Sequence, residues 1–221
     1  MVSPQLEQLL TGQSGIDRVV SDHASVSAFD VQCPLLSLPG VFGATRQTIP
    51  SQTPYLNVDS NKLASWKSRL PTGKPKVGVA WAGSAQHEND ANRSIAFSIV
   101  QSLLRAVDVN WISLQVERGQ KDPVLIDWTS ELQDLSDTAA LISNLDLVIC
   151  VDTAVAHLAG ALGKPTWLLL PFSPDWRWMW NRDDSPWYPT MRLFRQETPA
   201  DWSTPIQRVV TELHQLRHIV R

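Results

Sequence analysis

Between residues 76 and 171 the chain alternates short apolar runs with segments of helical periodicity. The first run, KVGVAWA at residues 76–82, is continuous and flanked by Gly-Lys-Pro-Lys and Gly-Ser, the pattern of a strand buried on both faces. After a polar stretch, Ser94 is placed to cap a helix whose apolar stripe is Ile95, Phe97, Ile99, Val100, Leu103 and Leu104. Residues 111–114 and 124–128 predict further strands, and 137–145 a helix. Residues 146–151 predict a buried strand, and 153–162 a helix ended by Gly163. Residues 166–170 predict a strand stopped by Pro171. A terminal helix opens at Ser203-Thr204-Pro205 and carries Ile206, Val209, Val210, Leu213, Leu216 and Val220 on one arc. Ahead of this block, residues 16–20 form a short strand candidate and residues 29–38 an apolar run ended by Pro39-Gly40. Residues 57–70 predict a helix with Ser60 as N-cap and Leu63, Trp66 and Leu70 at helical spacing.

Repeated strand and helix alternation calls for a doubly wound α/β domain, a parallel sheet with helices on both faces. Ligands of such sheets bind outside the carboxyl ends of the strands, here just after Ala82, Leu114, Val151 and Leu170.

Composition narrows the partners. The chain has 221 residues, 43% hydrophobic and 19% charged, enough apolar content for a full core and too little charge for disorder. A formal charge of −3, with Lys and Arg scattered, gives no footprint for nucleic acid. The apolar stretch from 145 to 170 is broken by Asp146, Asp152, His157 and Lys164, which argues against a membrane span. The N-terminus does not read as a signal peptide, and Cys33 and Cys150 make no disulfide framework, so a cytoplasmic location is expected. Tryptophan is over-represented, and Trp167, Trp176, Trp178, Trp180 and Trp187 crowd into one short region.

Several motifs fail. Residues 160–164 hint at a phosphate loop, but Pro165 stands where Ser or Thr would hold magnesium. No Gly-x-Gly-x-x-Gly follows a strand. His214 and His218 have zinc-helix spacing without a Glu after the first, and read as surface residues. One stretch survives, DTAVAHLAGALGKP at residues 152–165. A buried strand ends in Asp152 and a helix starts within two residues. The unpaired N–H groups of Thr153, Ala154 and Val155 then lie at the ligand edge with the positive end of the helix dipole, where a phosphate fits. His157 falls on the same face one turn in. The blander alternative makes Asp152 only the N-cap and His157 only a packed histidine. A second loop, Ala82-Gly83-Ser84, offers further donors, and Arg93 can reach the same charge; two such loops on neighbouring strands argue for a diphosphate.

Residues 152–165 resemble the donor-binding motif of glycosyltransferase family 9, the heptosyltransferase-like enzymes. The likeness extends through residues 78–84, 113–115 and 134–142, and residues 175–178 and 185–189 resemble the glycosyltransferase-like parts of bacterial tetratricopeptide-repeat proteins. The resemblance implies a GT-B fold whose Rossmann-like C-terminal domain binds a nucleotide-diphosphate sugar without a metal or other cofactor. By position it implies Gly83, Ser84 and Arg93 at the diphosphate, with Thr153 and Ala154 as backbone donors. It implies Asp152 and His157 near the diphosphate and sugar, and Gln115 and Leu135 near the nucleoside. Ala154 stands where the family has Gly, which adds one methyl beside the phosphate. The domain limits expected are 1–70 for the trailing part of an incomplete N-terminal α/β domain and linker helix, 71–203 for the nucleotide-sugar domain and 204–221 for the terminal helix.

The family's early Gly-rich loop, with the Asp expected to act as general base, has no counterpart, so no catalytic residue is assigned. Two functions follow: transfer of the sugar to a glycan, lipid or protein acceptor, or a non-catalytic nucleotide-sugar or interaction module. An incomplete front half also suggests self-association through that region. Trp176 is the candidate to pack on a sugar face; the alternative makes Trp176, Trp178 and Trp180 a lid packed on the core.

Overall fold

The computed structural model describes residues 1–22, 26, 28–116 and 120–216. Six strands form one sheet: β1 (Lys76–Ala80), β2 (Asn110–Ser113), β3 (Leu125–Ile126), β4 (Leu147–Val151), β5 (Thr166–Leu170) and β6 (Met191–Arg195). Their spatial order is β3-β2-β1-β4-β5-β6, and every named pair is parallel. The order reverses between β1 and β4, which makes that boundary the topological switch point of the sheet.

The alternation of side chains along each strand divides the core into two layers. Ala80, Ile112, Val148, Cys150, Leu168 and Leu170 face one layer, against helices α1 (Pro4–Leu10), α3 (Ser60–Arg69), α6 (Leu135–Ser143) and α7 (Ala154–Ala161). Val77, Val79, Trp111, Leu147, Ile149, Val151, Trp167 and Leu169 face the other, against α5 (Phe97–Ala106) and α8 (Ser203–Leu216). β4 and β5 are buried along their whole length, as their unbroken apolar runs predict. The doubly wound α/β reading therefore holds.

Differences from the expected elements have local causes. β6 follows the Trp-rich loop and was not anticipated; its Arg192 and Arg195 mask an alternation in which Met191 and Leu193 face one layer and Phe194 the other. Residues 16–20 form no strand and join no sheet edge; Val20 is tied instead to the segment before α1 by the Val2 N to Val20 O hydrogen bond. Residues 29–38 form no strand either: Pro34 and Pro39 break the ladder potential, and the chain turns into a 3-10 turn (Leu35–Ser37) and the short helix α2 (Leu38–Val41). The cap of α3 is Asp59 and not Ser60; its carboxylate accepts from Asn61 N and Lys62 N, each at 2.9 Å. Ser94 does not N-cap the helix that follows it; Ala96 holds that position. Residues 90–93 form a separate short helix, α4 (Asp90–Arg93), and α5 starts two residues later than Ile95 would place it. Gly163 does end α7, at φ +66°. Val220 and His218 lie outside the described residues, and His214 is exposed.

Candidate functional site

A cleft of about 360 Å³ opens at the carboxyl edge of the sheet beside the switch point. One wall is the loop after β1. Gln115, just beyond β2, holds it: its Oε1 accepts from Trp81 N at 3.1 Å and Ala82 N at 2.9 Å, which leaves the Gln115 amide nitrogen as the end free to face the cleft. Ser94 Oγ accepts from Gly83 N at 3.1 Å and donates to Asp90 Oδ1 at 2.7 Å, so the polar residue expected to start a helix fastens this loop to α4 instead.

Arg93 crosses the switch point. Its Nη1 donates to the backbone carbonyl of Asp152 at 2.9 Å, and Asp90 Oδ1 lies 3.7 Å from its Nε. Nε is itself buried without a hydrogen-bond partner. The guanidinium lies directly on Gly83, where an added Cβ would stand 2.3 Å from Nη2. Gly83 is thus the residue that lets Arg93 lie flat between the β1 and β4 loops.

The floor is the start of α7. Thr153 occupies the N-cap position in extended conformation, yet its side chain makes no capping bond, and Oγ1 is buried without a partner. Thr153, Ala154 and Val155 line the cleft, which brings the first N–H groups of an eight-residue helix to the same space as Arg93. The far wall comes from Leu132, Gln133, Asp134, Leu135 and Thr138 at the head of α6. Asp134 caps that helix through Ser136 N at 2.7 Å and Asp137 N at 3.2 Å. Burial alone would raise its pKa; the hydrogen bonds from Ser136 and Asp137 and the Lys62 charge together outweigh it and hold the carboxyl below the usual range.

Of the residues singled out in the sequence, Gly83, Ser84, Arg93, Gln115, Leu135, Thr153 and Ala154 line this one cleft. Asp152, His157 and Trp176 do not. His157 stands on the β5 side of the α7 start, with its ring stacked on Trp178 at 5.3 Å between centroids. Its Nε2 is 3.9 Å from Asp152 Oδ1 and its Nδ1 3.0 Å from Tyr188 Oη. Burial depresses its pKa; Asp152 and Asp175 oppose this and Arg177 adds to it. The tryptophans divide: Trp178 is fully buried, whereas Trp176 and Trp180 are each 66% exposed. Trp176 meets Trp187 edge-on at 6.2 Å and carries the Arg177 guanidinium 4.6 Å from its ring.

Gln133, Thr138 and Gln5 were not anticipated. Thr138 lies one helical turn beyond Asp134, so a cap at 134 would have pointed to it. Gln5 had no sequence signal, because it reaches the cleft only through the packing of α1 against α6. Among the described residues, no group of three or more His, Cys, Asp or Glu could hold a metal ion, and no helix is long and apolar enough to cross a membrane.

Known proteins resemble parts of this chain in sequence and in fold. Residues 132–175, from the far wall of the cleft through α7 to the Trp-rich loop, match Glycosyltransferase family 9 (heptosyltransferase). FlbA of Caulobacter vibrioides is 29% identical over 185 residues, covering 76% of this chain and 30% of FlbA. ADP-heptose lps heptosyltransferase II of E. coli superposes with a TM-score of 0.52 at 17% identity, covering 78% of this chain and 56% of that one. The glycosyl transferase family 9 protein of Veillonella parvula gives a TM-score of 0.48 at 11% identity, covering 73% and 52%. The chain therefore spans about a third of FlbA and just over half of the E. coli enzyme. Residues 132–175 are thus similar in sequence to glycosyltransferase family 9, the heptosyltransferases, and over most of its length the chain shares the GT-B-type α/β fold of a heptosyltransferase.

Proposed function

We propose that the chain binds a nucleotide-diphosphate sugar across the β1–β4 switch point and acts as a metal-independent, inverting glycosyltransferase toward a glycan, lipid or protein acceptor. The observation that carries this reading is the convergence of the Arg93 guanidinium and the α7 N-terminus on one cleft. Both present positive charge and N–H donors to an anion, the neutralising role a divalent cation fills in other sites. The nucleoside lies between Gln115 and Leu135, the diphosphate over Gly83, Ser84, Thr153 and Ala154, and the sugar toward Asp152, His157 and Trp176. As the glycosidic bond breaks, charge accumulates on the leaving diphosphate, and fixed donors there stabilise it most. Inverting transfer also needs a base within hydrogen-bond reach of the acceptor hydroxyl, and no described residue is assigned that part.

Calorimetry with ADP, GDP, UDP and CDP and their glucose conjugates tests the reading. Binding by at least one of them at micromolar affinity is expected, and no binding by any would overturn it. Gly83→Ala sharpens the test. The atoms it meets are the far end of a flexible side chain, so the fold is expected to survive while Arg93 is pushed off the cleft. Affinity is expected to fall about tenfold, one charge-assisted hydrogen bond, with little change in thermal midpoint. Unchanged affinity would remove Arg93 from the site.

A second reading, a nucleotide-sugar-binding module without transferase activity, is favoured by the large apolar side chains exposed at Phe29, Val31, Leu35, Leu36, Val41 and Phe42, which suit a surface covered by a partner or a second copy. Sugar transfer by the chain alone would exclude it. A monomer in sedimentation at high concentration would exclude self-association through this segment.

A further inference from the structure

Tyr188 falls in the 185–189 stretch singled out in the sequence, where no role was assigned to it, and the structure fixes its position on several sides. Its ring lies on the bare backbone of Gly160 in α7, where an added Cβ would stand 2.4 Å from the ring's Cγ. It is 9% exposed and packs near Trp178 at 6.5 Å between centroids. Its hydroxyl reaches Nδ1 of His157, one turn earlier on α7, at 3.0 Å. Trp178 stacks on the same imidazole at an interplanar angle of 23°. The histidine is thereby fixed in plane by one ring and in rotation by another, with Nε2 left on the side of Asp152.

We propose that Tyr188 is a positioning residue: its hydroxyl donates to Nδ1, which puts the His157 proton on Nε2 and makes His157 a hydrogen-bond donor to the bound sugar nucleotide. This rests on the ligand placement given above. The chemistry is constrained by the imidazole itself. A neutral ring has one acceptor nitrogen and one N–H; when Tyr188 occupies the acceptor, no lone pair remains to take a proton from an acceptor hydroxyl. His157 is thus a donor and not the base of the transfer. The charged surroundings agree. Burial, and after it the neighbouring Tyr55, raises the Tyr188 pKa, so the phenol keeps its proton. Burial keeps His157 neutral against Asp152 and Asp175, with Arg177 acting in the same sense as burial.

Nitrogen-15 correlation spectra of the imidazoles in the full chain, assigned by the signals lost in His157→Gln, read the tautomer directly. The neutral Nε2–H form is expected in the native chain. In Tyr188→Phe the His157 midpoint is expected to move up toward the ordinary histidine value. Titration with ADP-glucose and UDP-glucose should show Tyr188→Phe weakening the bound one by about two- to tenfold, the worth of one hydrogen bond. His157→Ala should weaken it at least as much, and the double variant no more than His157→Ala alone. Gly160→Ala, which displaces the ring without removing the hydroxyl, should reproduce the shift in midpoint. An Nδ1–H tautomer in the native chain, with Tyr188 donating to Tyr55 instead, would overturn the assignment, as would additive losses in the double variant. If none of the four nucleoside diphosphates and their glucose conjugates binds the native chain, the functional reading fails, and the tautomer still decides the role of Tyr188.

Discussion

Arg93→Ala is expected to weaken binding of a nucleoside diphosphate by about 10- to 150-fold, the loss of 1.5–3 kcal/mol carried by a hydrogen bond to a charged group in a partly buried setting. The side chain is only 14% exposed and points one nitrogen at the Asp152 carbonyl, so it is held in place before any ligand arrives. A donor already in position adds affinity without the entropy of being ordered. Arg93→Lys is expected to recover little, because an ammonium cannot bond the Asp152 carbonyl and a phosphate oxygen in one plane as a guanidinium does. Stability should change less than affinity, since Asp90 retains the hydrogen bond from Ser94. Titration of the native chain and both variants with the same diphosphate at fixed salt measures this. Affinity within threefold of native for Arg93→Ala would place the anion elsewhere.

The two loops that meet at the cleft could be read from the sequence because the argument needs only local information. A strand that is apolar on both faces must be central, and a helix starting within two residues of its end must present free N–H groups at the ligand edge. Residues 147–154 satisfy both conditions. The β1 and β4 loops are neighbours because the strand order reverses between them. Arg93 was identifiable as a cation able to reach the same charge as the Ala82-Gly83-Ser84 loop, but its partner was not. The bond to Asp152 O joins residues 59 apart and depends on the bare backbone at Gly83, a three-body arrangement with no periodic trace.

The failures share another cause. The strand read into residues 16–20 and the one missed at 191–195 differ little in apolar content; what separates them is whether a sheet edge is there to pair with. Met191 and Leu193 pair against Thr166 and Leu168 of β5, and residues 16–20 have no such edge. The split of Asp152 and His157 from the cleft is of the same kind. Helical spacing puts His157 on the same face as Thr153, but Tyr188 and Trp178, from the loop after β5, draw the ring to their side of α7.

Within the tryptophan-rich loop, Trp178→Ala is expected to destabilise the protein by about 3–5 kcal/mol, the loss from truncating a fully buried indole. Trp176→Ala is expected to change stability by no more than about 0.5 kcal/mol, as exposed substitutions do. Trp178 is 0% exposed, inside the core layer that holds α6 and α7, and its ring backs His157. Its indole nitrogen is buried without a hydrogen-bond partner, so truncation sacrifices packing alone. Trp176 presents most of its surface to solvent, with the Arg177 guanidinium over its ring, and in the proposed function that exposed indole packs on the C–H face of the sugar. Urea unfolding separates the two: Trp178→Ala should lower the midpoint strongly at unchanged slope, and Trp176→Ala should leave it in place. Titration then completes the distinction. Trp176→Ala should weaken a glucose conjugate relative to the bare diphosphate, whereas equal losses for both would make Trp176, like Trp178, part of the lid.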